Sequence, residues 1–281
     1  MIGDIIIAFM IAFLVAYVAT PYSIRFAKKV GAVDNPKDSE RKIHKKTMPR
    51  LGGLAVIISF VASALYLLIV MSIEKNINLF DSNKYIYKIV GILAGIIILG
   101  IFCFFDDKKG IKPYVKLFGQ VLATVIVIAC GVRIEHLELQ TLKLVIDKNI
   151  ILDIITFVWI IGVTNAINLT DGLDGLASGV SLIACISLII VFALNGSNLI
   201  SILLSAALAG AILGFLPYNF NPARTFLGDT GSNFLGFMLS IIAIMRNCKN
   251  IYSNSNNSTI ISICSTNNRH GICNNKKDYY T

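Results

Sequence analysis

Apolar residues run along this chain in long blocks, and compact polar clusters break them at short intervals. In order, the blocks cover residues 2–22, 51–73, 89–105, 117–132, 151–169, 180–195, 199–217 and 234–245. A helix crosses the hydrocarbon of a bilayer with roughly 20 predominantly apolar residues. Seven blocks lie near that length. The eighth, about 12 residues, is too short to span. The pattern therefore predicts an all-α, polytopic integral membrane protein of about eight transmembrane helices, the last incomplete, with the polar clusters as loops between them.

Composition agrees. The 281 residues are 56% hydrophobic and only 15% charged, with a mean hydropathy of +0.74, whereas soluble domains carry about a quarter charged residues. The formal net charge of +9 would suit a nucleic-acid surface if it were spread over one. It lies between the apolar runs instead, which is how membrane topology is encoded, so no nucleic-acid partner is expected. The six cysteines form no C-x-x-C pair, and neither a zinc site nor a disulfide framework is indicated. Asp4 precedes the first apolar run and the positive charges follow it, the reverse of a secretory leader.

Charge also sets the orientation. Between Arg25 and Arg50 stand nine Lys/Arg against three acids, which by the positive-inside rule puts this loop in the cytoplasm and the N-terminus outside. Alternation then brings four polar clusters, 25–50, 106–116, 165–174 and 219–232, to the cytoplasmic face. A site at the boundary between cytosol and membrane is the expected consequence.

Each cluster has its own chemistry. Asn165, Asn168, Asp171 and Asp174 recur at a spacing of three, which on helical geometry keeps them on roughly one face and aims them at a single ligand. Amides and carboxylates are hard oxygen donors suited to magnesium and nucleotides. Asp106-Asp107 pairs two carboxylates whose repulsion favours a divalent cation or a nearby lysine, and Lys108, Lys109, Lys112 and Lys116 stand close in sequence. Pro113 marks a turn into the next helix, with Lys116 and Gln120 on its first turns. Gly228-Asp229-Thr230-Gly231-Ser232 reads as an acidic loop before an apolar helix, suited to a phosphate through a bridging magnesium. The plainer readings are a polar connection for the first cluster, a stop-transfer flank for the second and a helix cap for the third. Ionisable groups set against hydrocarbon are functional by default, and this favours a site.

Taken together, these motifs resemble the polyprenyl-phosphate N-acetylhexosamine-1-phosphate transferases of glycosyltransferase family 4, over about residues 34–244. Pro49-Arg50-Leu51-Gly52-Gly53 and Gln120 are similar to the branch that initiates teichoic acid, O-antigen or related glycans with N-acetylglucosamine-1-phosphate; the muramoyl-pentapeptide branch of peptidoglycan synthesis is the alternative. The resemblance implies a plasma-membrane enzyme using a UDP-sugar donor, an undecaprenyl phosphate acceptor and Mg2+, releasing UMP on the cytoplasmic face. It implies that Asp106 and Asp107 serve the prenyl phosphate and its deprotonation. Asn168 and Asp229 would serve the metal and the pyrophosphate, with Asp229 also catalytic. Lys45, Lys46, Arg50, Asn165, Asp171, Asp174 and Asn219 would bind the nucleoside-sugar. A homodimer stays open.

One departure stands out. The family continues into further spans and a His-x-His-His loop, whereas this chain has only His44, His136 and His270. Beyond Arg246 the composition turns rich in Asn and Ser, with nine Asn among the last 35 residues. Residues 1–245 are therefore expected to form the transferase domain, incomplete at its C-terminal end. Residues 246–281 are expected to be a disordered tail or the product of a shifted reading frame. Two rivals follow: a transporter, which would carry its acidic residues at mid-membrane, and a truncated remnant that binds without catalysing.

Overall fold

The first helix, α1 (Ile2–Val30), shows how the molecule is assembled. Its buried residues are small: Ala8, Ala12, Ala16, Thr20, Ser23 and Ala27, three or four apart. Its large apolar residues point outward, among them Ile2, Met10, Leu14 and Val18. A water-soluble helix does the opposite. In lipid the outer face is already solvated by hydrocarbon, and small residues gain by letting backbones approach. The partner is α7 (Leu199–Asn219), where a Cβ at Gly210 or Gly214 would collide with the carbonyls of Phe9 and Phe13.

The computed structural model describes residues 2–34, 47–73, 83–134, 137–139, 144–146, 149–195 and 199–245. The remaining helices are α2 (Gly52–Ile73), α3 (Asn83–Lys109), α4 (Pro113–Ala129), α5 (Asn149–Thr170), α6 (Leu176–Leu194) and α8 (Gly228–Ile244). Two short antiparallel pairs join them: β1 (Val33–Asp34) with β2 (Met48–Pro49), and β3 (Leu137–Leu139) with β4 (Leu144–Ile146). The all-α, membrane-spanning architecture expected from the hydropathy pattern is the one observed. Among the described residues six helices are long and apolar enough to cross a bilayer, and α4 and α8 have 17 residues each. The 246–281 segment lies outside the described residues.

The centre of the bundle is α7 with α8. In α7, 78% of the apolar window is buried, against 17% in α1. The side chains of α8 are buried almost throughout, with Phe234, Phe237, Met238 and Ile241 in the main apolar core. This alters the reading of the last block. Its helix starts six residues earlier than the apolar run, at Gly228, so it rises about 26 Å. The Gly228–Ser232 stretch is therefore its first turn and not a loop. A polar first turn is tolerated there because neighbouring helices supply its partners.

What fixes the start of α8 is a seam of backbone. The Phe226 N–H donates to the Pro49 carbonyl at 2.9 Å, while Gly52 and Gly53 N–H donate to the carbonyls of Phe226 and Leu227 at 3.1 and 2.8 Å. Gly53 and Gly231 pack face to face, each too close to the other's backbone to admit a side chain. The Pro49–Gly53 and Gly228–Gly231 motifs are thus two halves of one contact, and their glycines answer to that approach.

Candidate active site

Four helix ends meet at one end of the bundle: the last turn of α3, the first turns of α4, the last turn of α5 and the first turn of α8. They bring together Asp106 and Asp107, Lys116 and Gln120, Asn165 and Asn168, and Asp229 through Asn233. The grouping expected from three separate clusters is therefore present. The fourth cluster contributes Arg50, but Lys45 and Lys46 lie outside the described residues.

The two adjacent aspartates do different things. Asp107, only 4% exposed, accepts the N–H of Asp229 on Oδ1 at 2.8 Å. Its Oδ2 takes the N–H of Thr230 at 2.8 Å and the Thr230 hydroxyl at 2.6 Å. The first N–H groups of a helix lack intrahelical partners, and Leu227 at the cap position supplies no side-chain acceptor. Asp107 caps α8 from another helix, and its charge suits the positive end of the helix dipole. Gly228 makes this possible. Its φ of +74° is left-handed, and a Cβ there would collide with the Arg50 carbonyl and press on both Asp107 oxygens at 2.9 Å. Asp106 turns the other way. Its Oδ1 accepts the Ile111 N–H at 2.9 Å and its Oδ2 lies 3.4 Å from Lys116 Nζ.

Lys116 is the hub. Its ammonium also donates to Asn168 Oδ1 at 3.1 Å and to Asp229 Oδ1. Asn168 in turn donates through Nδ2 to Asp229 Oδ1 and to Ser232 Oγ, both at 2.8 Å. Three hard oxygens from α3, α5 and α8 therefore surround one cation from α4. Among the described residues no three His, Cys, Asp or Glu side chains gather in a metal-type group; the oxygen donors that converge do so around this lysine.

One turn deeper an amide network ties the same helices. Gln120 Nε2 donates to Asn233 Oδ1 at 2.7 Å and Asn165 Oδ1 at 3.3 Å; Asn165 Nδ2 returns to Gln120 Oε1 at 3.0 Å, and Asn233 Nδ2 reaches the Asp229 carbonyl at 2.7 Å. Buried amides satisfied this fully hold helices in a single register.

The spacing-of-three series does not stay on one face. Helix α5 ends at Thr170, so Asp171 and Asp174 leave the helical register. Asn165 joins the amide network and Asn168 reaches Asp229. Asp171 sits partly enclosed in the following turn with a carboxyl pushed up to about 8, first by burial and then by the charges of Asp229 and Asp107, with Arg50 and Lys116 opposing. Asp174 Oδ2 accepts the Ala223 N–H at 3.1 Å. Asn219 accepts the Ser178 hydroxyl at 2.8 Å and donates to the Thr225 carbonyl at 3.1 Å. Asp174 and Asn219 thus brace the 220–226 segment leading into α8.

The sequence offers Lys116 as one of four lysines near the aspartate pair and Thr230 as part of the Gly228–Ser232 motif, without placing either in the site; Gln120 reads as a residue of the helix start, and Asn233 carries no signal of its own. The signal available was their spacing. Lys116 and Gln120 stand four apart on an apolar helix, hence on one face, and Asp229 and Asn233 repeat that spacing on α8.

Comparison with known proteins agrees with this geometry. The family model described as glycosyl transferase family 4 matches residues 89–247, which includes all four helix ends. The chain belongs to glycosyl transferase family 4. Within the family it is 38% identical over 247 residues to a Bacillus subtilis protein named probable undecaprenyl-phosphate N-acetylglucosaminyl 1-phosphate transferase, covering 88% of this chain and 64% of that one. It is 32% identical over 256 residues to a phospho-N-acetylmuramoyl-pentapeptide-transferase of Streptococcus thermophilus, covering 85% and 71%. A decaprenyl-phosphate N-acetylglucosaminephosphotransferase of Mycobacterium tuberculosis is 31% identical over 242 residues, covering 82% and 57%. The chain thus spans less than two thirds of the length of the first of these family 4 relatives. The long apolar helices make it a multi-pass membrane protein.

Proposed function

We propose that this chain transfers an N-acetylhexosamine-1-phosphate, in the first instance N-acetylglucosamine-1-phosphate, from a UDP-sugar to undecaprenyl phosphate at the cytoplasmic face of the plasma membrane. The observation that carries this reading is the gathering of Asp106, Lys116, Asn168 and Asp229 at one end of the bundle. Carboxylates at helix ends suit a donor from the aqueous side and an acceptor held in the bilayer; a transporter would carry them at mid-membrane. An apolar groove of about 490 Å3 between α2 and α3 ends at Phe104 and Phe105, beside Asp106. It offers a prenyl chain a surface leading to that carboxylate.

The residues fit a magnesium ion. Asp229 and Asn168 bring oxygen donors to one cation position with Asp106 beside it, and magnesium is typically held by one or two carboxylates with substrate phosphates completing its shell. When bound, it would neutralise pyrophosphate charge, as in other phosphoryl transfers. The chain's own part is positioning. Asp107 holds the first turn of α8, which carries Asp229. The Gln120–Asn165–Asn233 network keeps α4, α5 and α8 in register. Asp106, with an oxygen turned to the cluster, is suited to take a proton from the prenyl phosphate. Its phosphate oxygen attacks the β-phosphorus of the donor, forming a new P–O bond as the bond to UMP breaks. Arg50 and Asp171, at the rim, are suited to the nucleoside-sugar. Asp174 and Asn219 act on that pocket through the 220–226 segment.

The test is lipid-linked sugar formation in membranes containing the chain. UDP-N-acetylglucosamine and UDP-N-acetylmuramoyl-pentapeptide are offered separately with undecaprenyl phosphate and Mg2+. Product from the first donor is expected, and Asp229→Asn should lower it at least about a hundredfold, the scale of removing one preorganised charge-stabilising group from an active site. Product from the pentapeptide donor alone would move the chain to the other branch. Full activity in Asp229→Asn would reject the site.

A further inference from the structure

We propose that Lys116 is the protein's own occupant of the cation position, a tethered ammonium that competes with the divalent ion for Asp229 and gives way to it on the side of Asp106. The inference rests on the magnesium reading above and goes beyond it, since it gives Lys116 a part in loading the ion.

The contacts leave little alternative. Asp229 Oδ1 receives two donors, the Lys116 ammonium and the Asn168 amide. For that oxygen to face a metal in the ammonium's place, the lysine must yield. Asn168 can stay as it is, because its Oδ1 already faces that place, 3.1 Å from the ammonium, and a carboxylate oxygen has lone pairs enough to keep the amide bond. An ammonium has donors only, and its charge repels a divalent ion at contact range. Lys116 must therefore leave Asp229. It has a destination: Asp106 Oδ2 is already within 3.4 Å, and the four-carbon stem of lysine swings freely.

The resting lysine also solves a problem of charge. Asp106, Asp107 and Asp229 crowd the same end of the bundle, with Asp107 capping the turn that carries Asp229 and Asp106 beside Lys116. Without a cation among them, neighbouring ionised carboxylates would repel one another. The lysine neutralises part of that charge until a stronger cation takes its place. Once displaced to Asp106 it stands at the acceptor side, where a prenyl phosphate would meet it. Lys116 is thus a positioning residue whose two stations link metal loading to acceptor binding.

The direction of one effect separates this role from a merely structural one. A lysine that only braces the site would, on removal, loosen it and weaken metal binding. A competitor would, on removal, strengthen it. The experiment is a Mn2+ titration of the purified full chain in detergent micelles without substrates, with free Mn2+ read by electron paramagnetic resonance. Lys116→Met should bind Mn2+ about tenfold more tightly than the unaltered chain, the factor of one charge-assisted hydrogen bond. Lys116→Arg, which restores a cation, should return affinity to the original value or below. Equal or weaker binding in Lys116→Met overturns the inference.

Asp229→Asn distinguishes the two layers of the argument. If it abolishes binding while Lys116→Met binds like the unaltered chain, the lysine inference alone fails. If Asp229→Asn binds normally, or no form binds Mn2+, the magnesium reading fails and takes the inference with it. A second measurement needs no substitution. Saturating Mn2+ should speed acylation of Lys116 by an amine-reactive reagent relative to the exposed Lys112, read by mass spectrometry. Unchanged or slower labelling would sink the proposal even if Lys116→Met failed to fold.

Discussion

Two neighbouring aspartates carry the clearest lesson at the scale of residues. From the sequence, Asp106 and Asp107 look equivalent, both at the inner end of an apolar run. In the fold one turns toward Lys116 and the other is consumed by three donors at the head of α8. They should separate by experiment. Asp107→Asn puts an amide donor against N–H groups, so it should lose about 1–3 kcal/mol of stability, the cost of a buried donor left unpaired. Its melting temperature in detergent should fall and its activity with it. Asp106→Asn should melt close to the unaltered chain and yet lose transfer. If Asp107→Asn melts normally, the capping role is wrong. The chemistry of the site was legible in residue type: acids, amides and glycines in four clusters. The division of labour was not, because it depends on which way each side chain faces, Asp106 toward a lysine ten residues on and Asp107 toward a helix more than a hundred residues away. The same limit explains Asp171 and Asp174. A spacing of three predicts convergence only while the helix lasts, and α5 stops at Thr170.

Among the elements, α8 shows what periodicity misses. Its apolar run is short, and its polar first turn looked like a loop. The helix begins there because Asp107 satisfies its free N–H groups from outside, which no local pattern announces. The spans themselves were legible, since each must be long and apolar whatever surrounds it. Their packing was not, because in lipid the buried face is marked by small residues and the large ones point outward. Gly53 and Gly231 make this testable. Gly53→Val places a branched side chain into the backbone of α8 and should cost about 1–3 kcal/mol or more, as overpacking does. Its melting temperature should drop and activity follow, as Asp229 shifts away from Lys116. Gly162→Ala, on α5 with nothing near its Cβ position, should change neither. Equal melting of the two variants would show that the α2–α8 seam does not hold the site together.

The whole molecule turns on one geometric fact, that polar clusters spread over some 180 residues of chain meet at a single end of the bundle. Alternating spans require this of every second loop, and so the convergence could be anticipated before any contact was known. Which side of the membrane that end faces is a separate matter, carried by the nine basic residues between Arg25 and Arg50 through the positive-inside rule. The expectation is the cytoplasm, where a nucleotide donor would reach the site. Single cysteines test it, introduced after the six native ones are replaced. Thr47→Cys and Lys109→Cys lie at exposed positions beside the site end, and Leu194→Cys lies at the exposed far end of α6. An impermeant thiol reagent applied to intact cells should label the cysteine at 194 and spare those at 47 and 109; inverted membrane vesicles should reverse the result. The two groups must always label oppositely if α6 crosses the membrane. Labelling of 47 and 109 from outside would leave the assembled site intact but turn it to the wrong face, and a cytosolic UDP-sugar could then no longer be its donor.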